Sequence, residues 1–453
     1  MADMADTDRA PGGIPRTEAV GRVGRIGWTV LGGVVRAAVR RGAARVTGRG
    51  ADLGTWSDEF AVVVERLGPA FIKFAQIAST RADVLPPGVC RALTRLHDAV
   101  APMTRREVEV ALARTFGVDW RSTLTAFDPD PVGSGSIACV YRARLADGRI
   151  VAVKVRRPDL EATVRQDVAI LQALFDRLGR LRPLRGVPLS DMARSIGTAV
   201  LGQLDLDDES ANMGSLRRDL AALDFVHVPE PVLALCRETC VVMTFAEGVR
   251  DRVEVTELPP DRRQVLADQV LRAVFEMLFR TGLVHCDLHP GNLRLTRAGS
   301  IVVLDAGFVY RVSEKVRTHL ALFFLNLGFR HGENCAKAVL ASAEHVGKSA
   351  ATEAFTADMV RLVDRFGGAT ARDFDLIEFA TELFASQRRH GIYAASEFVF
   401  PLLALLMVEE TVRRLDPDID FQAIARPIVF RAAQAGTAAG GVGSKFELFA
   451  TSS

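Results

Sequence analysis

The sequence has few of several residue types. There are three tyrosines and three tryptophans in 453 residues, and lysine is scarce beside arginine. It has no Cys-x-x-Cys pair, and its six cysteines (Cys90, Cys139, Cys236, Cys240, Cys286 and Cys335) follow no regular spacing. In a chain this long that argues against a disulfide framework and for reduced thiols in a cytosolic setting. Cys236 and Cys240 have no histidine close by, so they read as small buried hydrophobes, not metal ligands. Long hydrophobic runs are missing too. The longest, 398–408, is too short to cross a bilayer and is interrupted by Pro401, so no membrane span is expected. The opening residues, MADMADTDRA, are acidic and lack the apolar core of a secretory leader. These features predict a cytoplasmic protein, at most peripheral at a membrane face.

A strong net charge is also absent, the formal value being +2. Residues 1–50 hold nine of the 57 basic residues and four of the 55 acidic ones, leaving 48 against 51 for the rest. A nucleic-acid-binding protein would be more basic over its folded part, so no nucleic-acid partner is expected. What is present is ordinary for a globular chain with a sizeable core: 49% hydrophobic and 25% charged residues, over a length that allows more than one compact unit.

Residues 1–18 read as disordered. Residues 19–50 hold seven arginines and no acid, mixed with Trp28, Val30, Leu31, Val34 and Val35. Arg36/Arg40 and Arg41/Arg45 are spaced by four, which gives a helix a basic face. That pattern fits a helix on an anionic membrane surface and equally a solvated basic helix packed on the main body. From Ser57 to Asp98 the apolar spacing is helical, with Gly68-Pro69 placed to start one helix and Pro86-Pro87 to stop it. Between about 120 and 156 the pattern changes to strands, and Asp147-Gly148 is a strong hairpin signal. Helices are expected over about 159–181 and 190–222, a strand over 241–245, and a long helix over about 260–281 closed by Gly282. Short strands follow near 293–295 and 301–304. After about 313 the chain reads as helix throughout, ending in a flexible tail from Gly436. A strand-rich segment followed by a helix-rich one predicts an α+β protein of two lobes with a cleft between them.

The chemistry-bearing residues stand in an order suited to phosphoryl transfer, which needs positioning and charge neutralisation more than covalent catalysis. Gly133-Ser134-Gly135-Ser136, continuing through Ala138 to Val140, fits a glycine loop between strands whose backbone N–H groups approach phosphates, with Val140 over an adenine. Taken alone, Gly-Ser turns of this kind are common. Val151-Ala152-Val153-Lys154 then ends a strand in a lysine placed for the α/β-phosphates, where the plain alternative is a surface lysine. Ala152 and Met243 complete the expected nucleotide-binding set. In Val284-His285-Cys286-Asp287-Leu288-His289-Pro290-Gly291-Asn292, Asp287 can accept a proton from, or orient, an attacking hydroxyl or water, and Asn292 can hold Mg²⁺. Thirteen residues later Asp305, in Leu304-Asp305-Ala306-Gly307, supplies a carboxylate to the same hard cation. His285 as a core histidine and Asp305 as a turn former are the simpler readings of each residue taken singly. The implied cofactors are ATP and Mg²⁺.

With these segments the sequence resembles the UbiB/AarF atypical kinase family over about residues 55–335. The resemblance implies a protein-kinase-like fold with an N-terminal helical lid carrying a Lys-x-Gly-Gln motif, here Lys73-Phe74-Ala75-Gln76, followed by Ser79-Thr80-Arg81-Ala82-Asp83. In that family the motif lysine meets a Glu-x-Asp motif, which matches Gln203-Leu204-Asp205. Glu209 matches the glutamate that pairs with the strand lysine, here Lys154, and joins Lys154 and Asp287 in the catalytic set. The implied division is a basic N-terminal segment (1–50), the lid extension (51–119), a kinase-like N-lobe (120–247), a helical C-lobe (248–435) and the tail (436–453). Four positions depart from the family pattern: Gly-Ser-Gly-Ser replaces an alanine-rich loop, Ala75 a glycine, Gln203 a glutamate and Ala306 a phenylalanine. The family connection implies ATPase or kinase-like activity in quinone or isoprenoid-lipid metabolism, with an anionic membrane surface and a prenyl lipid as candidate partners. Two other classes compete: a small-molecule phosphotransferase similar to aminoglycoside and choline kinases, and a non-catalytic nucleotide-binding scaffold. Neither the phospho-acceptor nor the oligomeric state is written in the sequence.

Overall fold

The computed structural model describes residues 9–10, 14–46, 54–79, 87–94, 96, 101–181, 189–247, 253 and 255–438. Two compact units divide the chain: Met1–Ser79, Leu85–Ser210 and Pro231–Phe245 form one, and Thr80–Val84, Ala211–Glu230 and Ala246–Ser453 the other. Residues 211–230, expected with the strand-rich segment, belong to the second unit.

The first unit opens with a short strand pair, β1 (Arg9–Ala10) and β2 (Ile14–Pro15), and α1 (Arg16–Val46). The expectation of disorder over 1–18 therefore fails at these residues. Helix α1 lies on α2 (Gly54–Leu67) because Gly33 has no side chain: a Cβ there would stand 2.2 Å from Val63 Cγ2. Arg22 grips both carboxylate oxygens of Asp167 at 2.6 Å and Leu67 O at 2.8 Å, and Arg36 reaches Glu59 at 3.2 Å. These two arginines serve packing. The opposite side of α1 is apolar and exposed, through Val23, Val30, Leu31, Val34, Val35, Val39 and Trp28, the last 78% accessible. The basic face expected from Arg36/Arg40 is thus used inward at Arg36; the side chains of Arg40, Arg41 and Arg45 lie outside the described residues.

Gly68, at φ 107°, turns the chain into α3 (Pro69–Ala78), with Pro69 at the first helical position. Every residue of α3 from Ala70 to Ile77 is buried, against α7 (Leu160–Leu178) and α8 (Leu189–Gly202). The helix ends at Ala78, short of the prolines expected to stop it. Pro87 instead starts α4 (Pro87–Thr94), where its missing N–H has no intrahelical acceptor to lose. Arg81 and Asp83 lie outside the described residues. Helix α5 (Arg105–Phe116) begins in a capping box, Thr104 and Glu107 exchanging side-chain and backbone hydrogen bonds, and α6 (Trp120–Thr123) leads into the sheet.

That sheet is antiparallel, in the order β3 (Leu124–Phe127), β5 (Ala138–Leu145), β6 (Ile150–Arg156), β8 (Cys240–Thr244), with β4 (Gly133–Ser134) also on β5. Strands β5 and β6 join at Asp147-Gly148, Gly148 taking φ 88°, as the sequence predicts. Alternation puts Cys139, Tyr141, Ala143, Val151, Val153, Val155, Cys240 and Val242 on one face, packed with Val108 and Leu112 of α5 and with Trp120. The single helix expected over 190–222 is two: α8 ends at Gly202, and α9 (Leu206–Asp219) starts after Asp205, whose Oδ1 accepts from Asp207 N at 2.9 Å. An aspartate favours a cap over a helix interior, which is why the helix breaks there.

In the second unit β7 (Val226–His227) runs parallel to β11 (Ile301–Val303), which pairs antiparallel with β10 (Leu293–Leu295). Helix α10 (Pro260–Phe275) continues through a π-turn over Glu276–Thr281 to Gly282, at φ 74°, and delivers β9 (Leu283–His285), paired with β12 (Val309–Arg311). Helices α11 (Glu314–Gly328), α12 (Gly332–Ser342), α13 (Thr352–Phe366), α14 (Leu376–Arg389), α15 (Val399–Leu415) and α16 (Phe421–Ala438) follow. A two-residue pair, β13 (His345–Val346) with β14 (Ile392–Tyr393), interrupts what the sequence reads as continuous helix. Helix α16 runs to Ala438, past the expected start of the tail at Gly436, and residues 439–453 lie outside the described ones. All six cysteines are buried free thiols. Among the described residues no helix is long and apolar enough to cross a membrane.

The α1–α2 contact can be tested directly. Gly33→Ala should destabilise the protein by about 1–3 kcal/mol, the usual penalty for overpacking, and adding Val63→Ala should recover part of the loss. Urea midpoints of the two variants check this; an unchanged midpoint in Gly33→Ala would contradict it.

Candidate functional site

Strand register decides where the predicted nucleotide residues point. Val140 pairs with Lys154 across β5 and β6, Lys154 with Val241, and Ala152 with Met243 across β6 and β8. Directly paired residues share a face, so Ala138, Val140, Ala152, Lys154 and Met243 all lie opposite the core face. Gly133 and Ser134 pair with Val140 and Cys139, and Gly135 N donates to Ala138 O at 2.9 Å. The glycine segment is therefore a closed hairpin with Ser136 and Ile137 at its tip. Ser136 Oγ is buried there and makes no hydrogen bond.

Lys154 Nζ lies 2.7 Å from each carboxylate oxygen of Glu209, the two side chains being 9% and 1% accessible. Sequence proximity does not give this pair; α9 does, by starting after Asp205 and presenting Glu209 from its first turn. Arg156 fixes that start by donating to Leu204 O, and Leu206 N donates to Glu238 O at 3.0 Å. Of the lid residues, Lys73 and Gln76 are buried on α3, and Gln76 Nε2 donates to Leu96 O at 3.0 Å. Gln203 is buried and turns its amide toward Ala199 O, and Asp205 serves as the cap of α9.

In the second unit a single imidazole organises the catalytic segment. His285, wholly buried, accepts from Asp287 N at its Nδ1 (3.1 Å), so its Nε2–H donates to Asp305 O. Burial lowers its pKa from the ordinary histidine value, which keeps the ring in the neutral form this bridge requires. The two segments that carry Asp287 and Asp305 are thereby tied through one side chain. The β10–β11 hairpin does the rest: Leu304 N donates to Asn292 O at 2.9 Å, setting Asn292 beside the segment that continues into Asp305. Asn292 Nδ2 donates to Asp287 O at 3.0 Å, which directs its amide oxygen elsewhere, and Asp305 Oδ1 accepts from Gly307 N at 2.7 Å. Gly291 has a steric reason to be glycine, since a Cβ would stand 2.4 Å from the His289 ring, whose Nδ1 accepts from Gly291 N. His289 Nε2 is 4.0 Å from Asp287 Oδ2. Asn212 of α9 donates to Ala306 O at 3.4 Å.

Residues 95–339 match the ABC1 atypical kinase-like domain, more than half of the chain. The chain belongs to the ABC1 atypical kinase-like family. It is 28% identical over 378 residues to a probable protein kinase UbiB of Xylella fastidiosa, covering 82% of this chain and 68% of that one. The corresponding protein of Marinobacter nauticus is 28% identical over 384 residues, covering 82% and 69%. In three dimensions the chain is similar to a Mycobacterium tuberculosis protein solved in complex with erythromycin, at a TM-score of 0.56 and 21% identity, covering 87% of this chain and 97% of the other. The α+β, kinase-like fold expected from the sequence is thus the fold the chain has.

Within this atypical kinase family fold, two side chains that the sequence reading passed over hold the predicted ones in place. Arg156 and Arg157, directly after the Val-Ala-Val-Lys strand, contact the Leu204 break and the glycine hairpin respectively. A charged pair at the end of a buried strand was the only signal for them. His285, whose simplest reading was a core histidine, is buried and also bridges two functional segments. Replacing it by phenylalanine keeps much of the volume and strands the Asp287 N–H and the Asp305 carbonyl. His285→Phe should therefore cost about 2–5 kcal/mol of unfolding free energy, the sum expected for two buried groups left unpaired. Urea unfolding of the variant beside wild type measures it, and a loss below 1 kcal/mol (about the worth of one ordinary hydrogen bond) would mean the bridge is dispensable.

Proposed function

We propose that this chain binds Mg-ATP and uses it for phosphoryl transfer or ATP hydrolysis in support of quinone or isoprenoid-lipid metabolism at a membrane face. The observation that carries the nucleotide reading is the buried Lys154–Glu209 pair, with both carboxylate oxygens 2.7 Å from Nζ. A lysine held this way is aimed, and in kinase chemistry that aim is toward the α/β-phosphates. Relatives named as probable protein kinases support the phosphotransferase side of the reading.

The residues present fit the implied cation. Among the described residues no group of three histidines, cysteines, aspartates or glutamates stands together, so an all-protein cage is not what they offer. They offer the Asn292 amide oxygen and the Asp305 carboxylate, hard donors of the kind that bind Mg²⁺ together with phosphate oxygens and water. Bound Mg²⁺ neutralises charge on the phosphates. In this reading Gly133–Val140 takes the phosphates from its backbone, Lys154 neutralises them, and Ala152, Val140 and Met243 face the base. Asp287 accepts the proton of the attacking hydroxyl or water.

The membrane part of the proposal rests on α1. Its outward side is apolar, and residues 19–50 of the sequence contain seven arginines and no acid, a combination that suits an anionic lipid surface. Because Arg22 and Arg36 are engaged in ion pairs, the apolar row leads the contact.

Asp305→Asn should abolish Mg²⁺-dependent ATP binding, while Asp287→Asn should leave binding nearly intact and lower turnover by roughly 10²-fold or more. Titration of each variant with ATP in Mg²⁺, and ATP turnover with and without anionic vesicles and prenyl-phenols, test this. Equal affinity in wild type and Asp305→Asn would sink the metal assignment. For α1, the full chain carrying Trp28→Ser and Leu31→Ser should lose co-sedimentation with vesicles rich in anionic lipid. Deleting the helix would also strand buried Asp167, so the double substitution is the cleaner test. Unchanged co-sedimentation would show that this face does not meet lipid.

A further inference from the structure

The Gly133–Ser136 segment is paired with β5 as far as Gly135, and Arg157 adds further contacts along it. Arg157 donates Nε to Gly135 O at 3.0 Å, Nη2 to Ser134 Oγ at 3.0 Å, and its own backbone N–H to Ile137 O at 2.9 Å. The same Nη2 donates to Ala101 O at 2.7 Å.

A planar guanidinium suits this task. It presents donors in a rigid fork and reaches several carbonyls at once, whereas a lysine ammonium is a point charge on a flexible stem. The hairpin tip supplies a second, independent observation. Ser136 Oγ is 3% accessible by residue and unpartnered, and a buried hydroxyl left so costs about 1–3 kcal/mol. A phosphate oxygen reached by a small shift of the tip would relieve that cost, and how far the tip shifts depends on what holds its base.

We propose that Arg157 is a positioning residue of the nucleotide site, which sets the glycine hairpin for the phosphates. The inference rests on the reading of Gly133–Val140 as a phosphate loop.

The test uses the full chain with Mg-ATP and with adenosine, which lacks phosphates. Arg157→Ala should raise the Kd for Mg-ATP about tenfold, the equivalent of one charge-assisted hydrogen bond, and leave the Kd for adenosine within about twofold. Arg157→Lys should behave like Arg157→Ala. Parallel loss of adenosine and Mg-ATP binding would mean that Arg157 only supports the fold, overturning the proposal. Rescue by Arg157→Lys would make its role one of charge and overturn the positioning. Wild type that binds adenosine and Mg-ATP equally well would instead bring down the phosphate-loop reading itself, which keeps the two failures apart.

Discussion

The first unit depends on one buried ion pair. Taking Lys154 and Glu209 out of water costs several kcal/mol per ion, and their attraction offsets this only when the geometry is good. The contact at 2.7 Å to both oxygens meets that condition. The pair constrains much around it. Strand β6 must keep its register with β5 and β8, since a slip by one residue would turn Lys154 into the core face occupied by Val153 and Val155. Helix α9 must begin after Asp205, because Glu209 reaches Lys154 only from the first turn. Arg156, the Asp205 cap and the Leu206–Glu238 hydrogen bond all hold that starting point. A hydrophobic pair of the same size would serve stability as well or better, so stability alone does not account for the charges.

The second unit solves its positioning problem without a charge. The groups fixed there are Asp287 and Asp305, whose carboxylates in the proposed reading bind a cation or take a proton. A cationic clamp would compete for them. A neutral imidazole contacts only their backbones, accepting from Asp287 N and donating to Asp305 O, and leaves the carboxylates their own chemistry. Burial keeps His285 neutral, so the protonation state and the hydrogen-bond pattern enforce each other. The family phenylalanine after the aspartate is here Ala306, fully buried, its carbonyl accepting from Asn212. The departure removes a ring and leaves the backbone of this segment tied.

How much of this was legible in the sequence depended on range. Contiguous motifs announced themselves: the Val-Ala-Val-Lys strand, the His-x-Asp-x-His-Pro-Gly-Asn segment, the Asp147-Gly148 turn and the glycine closing the long helix. Alternation along 138–145 and 150–156 carries the face assignment, which the strand register then makes concrete. What escaped was whatever required a partner far along the chain. The apolar spacing over 190–222 continues past Asp205, and the capping of that aspartate, reinforced by Arg156 reaching Leu204 O from far along the chain, is what divides the helix. Pro87 is expected to stop a helix, but a proline permits a stop or a start, and here it opens α4. Arg157 has no local signature, since its acceptors lie 56 and about 20 residues away. The arginines of α1 looked like a surface face because charge alone does not say whether Asp167 and Glu59 stand opposite.

Gln203 shows how such distant constraints bear on a departure from the family pattern. The position is buried, and a carboxylate there would need a cation close enough to offset its loss of water. An amide asks less: it is neutral, and one weak hydrogen bond to Ala199 O occupies its donor side. Helix α3, which carries Lys73, is buried from Ala70 to Ile77 and packs on α7 and α8, so its attachment rests on apolar packing as well as on polar contacts. Packing of that kind tolerates an amide at 203. The same chemistry recurs at Gln76, where an amide makes the hydrogen bond to Leu96 O. Amides thus stand at two buried polar positions, Gln76 and Gln203, and each donates to a backbone carbonyl, which an ionised carboxylate cannot do because it has no hydrogen to donate.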